Sequence, residues 1–103
     1  MSEAELRRRF VARLKALGCH VIPLVPDASN DLDEYPDILV LGRQRLCAFV
    51  EFKRPKTQQH AAGKVRVGQK ERLAFFTGLG YYARVHTSER GATEVAREVG
   101  VLC

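Results

Sequence analysis

Two short apolar segments, separated by only four residues, constrain the fold of this sequence more than any other feature. They cover residues 35–41 and 46–53, and the sequence GRQR at residues 42–45 lies between them. Two runs of strand length around so short a connection predict a β-hairpin. Strands that are apolar at nearly every position are typical of a sheet covered on both faces. The hairpin is therefore expected to form the centre of the sheet.

Ionisable residues stand at the ends of this apolar hairpin. Asp37 lies at the entrance of the first run, and Glu51 and Lys53 close the second. Because strand side chains alternate between faces, Glu51 and Lys53 point to the same side of the sheet. Ionised groups at the edge of a core cost free energy unless they are paired or bind a metal. The conflict between apolar patterning and charge indicates a functional site.

The register of the hairpin decides whether Asp37 joins Glu51 and Lys53. If Gly42 pairs with Leu46 across a three-residue loop, Asp37 lies opposite Glu51 on the same face. A shift of one residue would flip the side chains and leave Asp37 out of this group. A three-residue loop beside a glycine is a common hairpin form, which makes the convergent register plausible. Both registers remain open at this point.

Length and composition limit the classes of protein to which this sequence can belong. The chain has 103 residues, of which 46% are hydrophobic, and this predicts one globular domain over residues 1–103 with one modest core. No apolar run approaches the roughly 20 residues that span a bilayer. The first residues lack the apolar core of a signal peptide. We therefore expect a cytoplasmic protein that has no membrane partner.

Charge is segregated along the chain, with a net value of +5. Residues 53–72 contain seven basic residues and one acid, whereas residues 27–37 contain five acids and no basic residue. After Lys53, the basic residues of this stretch are Arg54, Lys56, Lys64, Arg66, Lys70 and Arg72. Such clustering suits binding to a polyanion such as DNA, although charge runs are more often solvated loops. The position of the stretch, directly after the ionisable group, favours DNA binding.

The remaining elements follow from apolar spacing and from glycine and proline positions. The pattern predicts helices over residues 2–18 and 68–78, strands over 19–25 and 81–85, loops over 26–34 and 54–67, and a small helix that ends at Gly100. The histidine in the second loop, His60, is interpreted as a solvated side chain. The order is α-β-β-β-α-β-α, an α/β domain with a small mixed β-sheet between helices.

Two polar residues lie on the inward stripes of the predicted helices. Glu3 is in line with Leu6 and Phe10 in the first helix, and Gln69 is near the start of the second. Glu3 could favour the positive end of its helix, or it could join the ionisable group; both interpretations stay open. Ser2 and Glu5 fit a capping box, in which the Glu5 side chain would bond the first backbone N–H.

The residue types of this group indicate divalent-metal chemistry. Asp37 and Glu51 offer hard oxygen ligands with no nearby His or Cys, which favours Mg²⁺ or Mn²⁺ over zinc. Such a cation can lower the pKa of a bound water and neutralise charge on a phosphodiester. Lys53 could orient that water or stabilise charge that develops on the phosphate. Phosphate-binding glycine loops and a serine nucleophile elbow are not found in the sequence.

Pro36-Asp37, followed by Glu51-Phe52-Lys53 at the end of the next strand, resembles the signature of PD-(D/E)XK nucleases. The wider pattern resembles the VRR-NUC branch, the virus-type replication-repair nucleases. It includes an acid in the first helix, a helix end at Gly18, a glutamine in the second helix and Gly80-Tyr81 before the last strand. The likeness covers essentially the whole chain. It implies a stand-alone domain with a restriction-endonuclease-like core.

The resemblance implies roles for individual residues. By position, the metal ligands would be Asp37, Glu51 and Glu3, the catalytic lysine Lys53, and the supporting side chain Gln69. The chain departs from the family pattern at Arg7, because the first-helix acid is often placed there. Whether Glu3 or Glu5 serves as that acid stays open.

The resemblance also implies an activity, namely a Mg²⁺- or Mn²⁺-dependent DNA endonuclease of phage or bacterial origin with a role in DNA repair. Holliday junctions, flaps or other branched DNA would be the substrate, and the protein would act as a homodimer. Two alternatives keep the same fold. One is a nucleic-acid-binding module that does not cleave, and the other is an accessory subunit of a replication or packaging complex that is active only in that setting.

Overall fold

The computed structural model describes residues 1–57 and 61–103. Its elements, in chain order, are α1 (Glu3–Leu17), β1 (His20–Pro23), β2 (Ile38–Leu41), β3 (Cys47–Phe52), α2 (Val67–Gly78), β4 (Tyr82–His86) and α3 (Gly91–Glu98). This order confirms the predicted α-β-β-β-α-β-α arrangement. Within the described ranges, every helix is too short or too polar to cross a bilayer.

The four strands form one mixed sheet in the order β1-β2-β3-β4. The β1–β2 and β2–β3 pairs are antiparallel, and β3 and β4 are parallel. The predicted hairpin therefore supplies the two central strands. Strand β1 lies at an edge and is shorter than predicted, because it ends at Pro23, which has no N–H to donate to a ladder.

Helices cover both faces of the sheet, as predicted. On one face, Leu6 and Phe10 of α1 and Val95 of α3 join the main core, which includes Val50 and Phe52 of β3. Side chains of alternate residues point to the opposite face. There α2 packs on the sheet, and the rings of Phe76 and Phe49 stack with centroids 3.9 Å apart. Glu51 belongs to this second face.

Capping fixes both ends of α1, with one difference from the prediction. Ser2 Oγ accepts a hydrogen bond from the Glu5 N–H at 3.1 Å, and Gly18 ends the helix in the left-handed region with φ of 100°. The second half of the predicted capping box is wrong. The Glu5 carboxylate instead accepts from Arg9 Nη2 at 2.7 Å, because a side chain one turn further along the helix is within its reach.

The segment between β3 and α2 has no helix or strand among its described residues. The Gly63 N–H donates to the carbonyl of Arg54 at 2.9 Å, which brings the two sides of the segment together. A Cβ at Gly63 would come within 3.2 Å of the backbone nitrogen of Arg54 and would touch the stem of Lys53 at 3.5 Å. His60 lies outside the described residues.

The hairpin adopts the convergent register. The Gly42 N–H donates to the Leu46 carbonyl at 3.0 Å, and Ile38 pairs with Val50. One step further along the same register, Asp37 lies opposite Glu51. The three-residue loop therefore brings an acid from each strand to the same place.

Replacing Gly42 by alanine should destabilise the protein by roughly 2 kcal/mol or more. Gly42 lies against the end of α3, where an added Cβ would overlap the carbonyl oxygen of Val99. A backbone atom cannot turn aside as a flexible side chain could, and the Val99 carbonyl oxygen is also held by a hydrogen bond from the Arg43 N–H at 2.8 Å. Neither Gly42 nor Val99 can therefore move freely.

Urea denaturation would measure this change in the free energy of unfolding. Gly78→Ala is a matched control, since an added Cβ there meets no atom of the described chain within 4 Å. It should be neutral or stabilising by about 0.5–1 kcal/mol, because alanine is the better helix former. Equal stability of the two variants would contradict the close approach of Val99.

Candidate active site

Glu51 lies at the end of β3 and is the most buried acid of the described chain, with 1% of its surface exposed. Its Oε2 accepts a hydrogen bond from Gln69 Nε2 at 2.9 Å. The same oxygen lies 3.2 Å from Lys53 Nζ, and that side chain is only 13% exposed. The strand alternation and the α2 stripe predicted from sequence thus place these three side chains in contact.

The other carboxylate oxygen of Glu51 is buried without a hydrogen-bond partner among the described residues. Leaving a buried acceptor unsatisfied costs on the order of 1–3 kcal/mol, and more when the group is charged. A buried acceptor of this kind, next to other carboxylates, is a position where a cation could bind.

Asp37 stands directly before β2, and its two carboxylate oxygens have different partners. Oδ2 accepts from the backbone N–H of Phe52 at 2.7 Å, which ties the acid to the neighbouring strand. Oδ1 accepts from Arg7 Nη2 at 3.2 Å. The backbone carbonyl of Asp37 also accepts from the Leu24 N–H at 2.9 Å. These bonds fix the position of Asp37 beside Glu51.

Glu3 completes a group of three acids. It is the first residue of α1 and is half-buried, and one oxygen each from Glu3, Asp37 and Glu51 lies within 4.8 Å of the others. Carboxylate oxygens at this spacing can share one cation, because Mg²⁺ binds oxygen at about 2.0–2.1 Å and opposite ligands then lie roughly 4 Å apart. The donor set, all oxygen, suits Mg²⁺ or Mn²⁺.

Without a cation, this crowding changes the proton affinity of Glu51. Burial and the nearby negative charge of Asp37 raise the pKa of Glu51 from its ordinary value of 4.5 to about 7, against the opposing effect of Lys53. Near neutral pH the metal-free carboxyl is therefore partly protonated. A divalent cation would favour the ionised form.

The start of α2 orients Gln69. Its Oε1 accepts from the Arg66 backbone N–H at 3.1 Å, as the reciprocal half of a capping box, while its Nε2 donates to Glu51. An amide can make both bonds because it carries a donor and an acceptor. A glutamate here would place a fourth negative charge against the group.

The six basic residues predicted to bind DNA fall into two groups. Lys56, Lys64 and Lys70 are exposed. The three arginines contact other parts of the chain: Arg54 Nη2 donates to the Ala61 carbonyl, Arg66 lies 3.6 Å from Glu34, and Arg72 lies over the ring of Tyr35 at 4.6 Å.

Sequence reasoning missed Arg7 as part of the site. Its guanidinium reaches Asp37 from α1, and its position one helical turn after Glu3 places both side chains on the same face of that helix. This spacing of four residues was the signal available in the sequence.

Comparison with known proteins supplies one structural relative. No family model matches the sequence, and a search of curated proteins also finds no match. A solved structure described as a "VRR_NUC domain" has 22% sequence identity to the chain and a TM-score of 0.69. The alignment covers 92% of this chain and 94% of that one. The chain therefore has the fold of a VRR-NUC domain.

Proposed function

We propose that this protein is a metal-dependent DNA endonuclease that hydrolyses phosphodiester bonds. The observation that carries the proposal is the unpartnered, buried oxygen of Glu51, which belongs to the same group of carboxylates as Glu3 and Asp37. The fold adds support, since the solved domain of the same fold is named for a nuclease.

The cation would be Mg²⁺ or Mn²⁺, held by Glu3, Asp37 and Glu51. When bound, such a cation lowers the pKa of a coordinated water and neutralises charge on the phosphodiester. The chain meets the requirements of this role with hard oxygen donors and a buried acid that lacks a partner for one oxygen.

Other residues of the chain would prepare the site for hydrolysis. Lys53, whose Nζ lies 3.2 Å from Glu51 Oε2, would stabilise the negative charge that develops on the phosphate. Gln69 would hold the Glu51 carboxylate in one orientation, and the Phe52 N–H would do the same for Asp37. Such outer contacts fix ligand geometry before substrate arrives.

DNA would be bound through its phosphates by the basic stretch that follows Lys53. The exposed lysines Lys56, Lys64 and Lys70 are available for such contacts, and Arg54, Arg66 and Arg72 would add further positive charge. By resemblance to VRR-NUC nucleases, the preferred substrate would be branched DNA such as a Holliday junction or a flap.

A homodimer would suit this substrate, because two sites could act on two strands. Exposed apolar side chains at and just beyond the C-terminal end of α2 would lie in the dimer interface: Phe75 is 55% exposed, Leu79 59% and Tyr81 44%, and Leu46, which is 44% exposed, lines a cleft together with Tyr81.

The proposal is tested by incubating the protein with labelled duplex, flap and four-way-junction DNA in Mg²⁺, Mn²⁺ or EDTA. Cleavage is expected with either metal and not with EDTA, and the DNA that is cut fastest decides whether branched structure is recognised. DNA that is bound but left intact under every metal would instead identify a non-cleaving binding module.

A further inference from the structure

Arg7 contacts one of the two carboxylate oxygens of Asp37, an acid of the group that would hold the cation. Its Nη2 lies 3.2 Å from Oδ1, while Oδ2 is already bonded to the Phe52 N–H. A divalent cation that binds through Oδ1 must therefore compete with a guanidinium for the same oxygen. Both are cations, so the two cannot stay close together without repulsion.

The ion pair between Arg7 and Asp37 can be broken at low cost in free energy. The Arg7 side chain is 46% exposed and that of Asp37 is 20% exposed, so water screens the pair and the arginine can leave without burying a lone charge. After release, Arg7 would remain at the site, because its backbone lies in α1 one turn from Glu3. A guanidinium presents planar donors that match the oxygens of a phosphate.

We propose that Arg7 changes partners during the reaction cycle, from Asp37 in the metal-free protein to a DNA phosphate once a divalent cation is bound. This inference rests on the proposed nuclease function and adds a substrate-binding residue to it. The exchange makes DNA binding by Arg7 conditional on the metal.

Arg8 provides a matched control for Arg7. It is the next residue of α1, carries the same charge and is 74% exposed, and its ion pair within the described residues is a distant one of 3.9 Å to Glu5. Arg8→Gln removes the same charge from the same helix without freeing Asp37. A difference between Arg7→Gln and Arg8→Gln therefore reports the Asp37 contact and not the net charge.

The first measurement is calorimetric titration of Mn²⁺ into the wild type and both variants without DNA. Removal of the competing guanidinium should tighten Mn²⁺ binding by roughly 3- to 10-fold in Arg7→Gln. Arg8→Gln should change it by less than about 2-fold, because an exposed charge without contact to the site is screened by salt.

The second measurement is the affinity of the same proteins for labelled flap DNA in EDTA and in Ca²⁺, with a gel to show that the DNA stays intact. Ca²⁺ binds oxygen ligands as Mg²⁺ does, but with longer bonds and a looser geometry. In EDTA the two variants should lose affinity equally. In Ca²⁺, Arg7→Gln should lose several-fold more than Arg8→Gln, since only Arg7 gains a phosphate when the metal binds.

Equal Mn²⁺ affinities of the two variants, or equal losses of DNA affinity in Ca²⁺, would overturn the exchange and leave the nuclease proposal intact. If neither the wild type nor Arg7→Gln bound Mn²⁺ at all, the proposed metal site would fall, and the exchange with it.

Discussion

Glu51→Gln should abolish metal-dependent cleavage and, at the same time, stabilise the metal-free protein at a pH above 7. The amide keeps an acceptor oxygen for Gln69 but removes the charge that the cation requires. It also removes the cost of ionising a carboxyl that is 1% exposed. A residue whose loss improves stability and destroys activity is typical of a functional site.

The raised pKa of Glu51 determines the direction in which the free energy of unfolding changes with pH. The pKa of Glu51 is about 7 in the folded metal-free protein and takes its ordinary value of 4.5 in the unfolded chain. Between these two pH values the folded state holds a proton that the unfolded chain has released. The free energy of unfolding should therefore fall as pH rises from 4.5 to 7, by up to about 3 kcal/mol.

Urea denaturation in EDTA across this pH range would measure the effect. The wild type should lose stability as pH rises, whereas Glu51→Gln should lack this component and be more stable than the wild type by roughly 1–3 kcal/mol above pH 7. The lower figure allows for the ion pair with Lys53 that is lost. Glu98→Gln, a change of the same type at an exposed position of α3, should follow the wild type. Parallel curves for Glu51→Gln and the wild type would contradict the burial of an ionisable Glu51.

Lys53→Met should reduce the rate of cleavage by about 100- to 1,000-fold at saturating Mn²⁺, the usual loss when a group that stabilises transition-state charge is removed. Methionine retains most of the side-chain volume, so packing against Gly63 is kept. The ammonium also lowers the pKa of Glu51, so its loss should raise that pKa further, and Mn²⁺ affinity near neutral pH should change through this proton competition and through the lost repulsion between the ammonium and the cation.

Single-turnover cleavage over a series of Mn²⁺ concentrations separates the two effects of Lys53→Met. A defect in metal affinity disappears at saturation, and a defect in the chemical step persists. Lys15→Met, a change of an exposed lysine on α1, should cleave at the wild-type rate. Full recovery of Lys53→Met at saturating Mn²⁺ would show that Lys53 acts only through Glu51.

The fold was predictable where local patterns agreed with one another. The short loop and the apolar runs gave the hairpin, and the loop length beside Gly42 favoured the register that places Asp37 opposite Glu51. The apolar stripe of α2 predicted that Gln69 faces inward, because helical spacing fixes which residues share a face.

Contacts between distant elements were not predictable in this way. Arg7 is 30 positions from Asp37 in the sequence, and only the packing of α1 against the sheet brings the two together. Arg72 was expected to bind DNA as part of the basic stretch, yet its side chain lies half-buried over the ring of Tyr35. This contact depends on where the loop before β2 places Tyr35, and local sequence patterns do not predict that position.

The most direct test of the central claim compares the wild type with Glu51→Gln on one labelled branched DNA, in Mn²⁺ and in EDTA. A metal-dependent nuclease centre at Glu51 predicts cutting by the wild type in Mn²⁺ alone, and no cutting by the variant, although both bind the DNA. Cleavage by Glu51→Gln at the wild-type rate, or cleavage that persists in EDTA, would contradict the account.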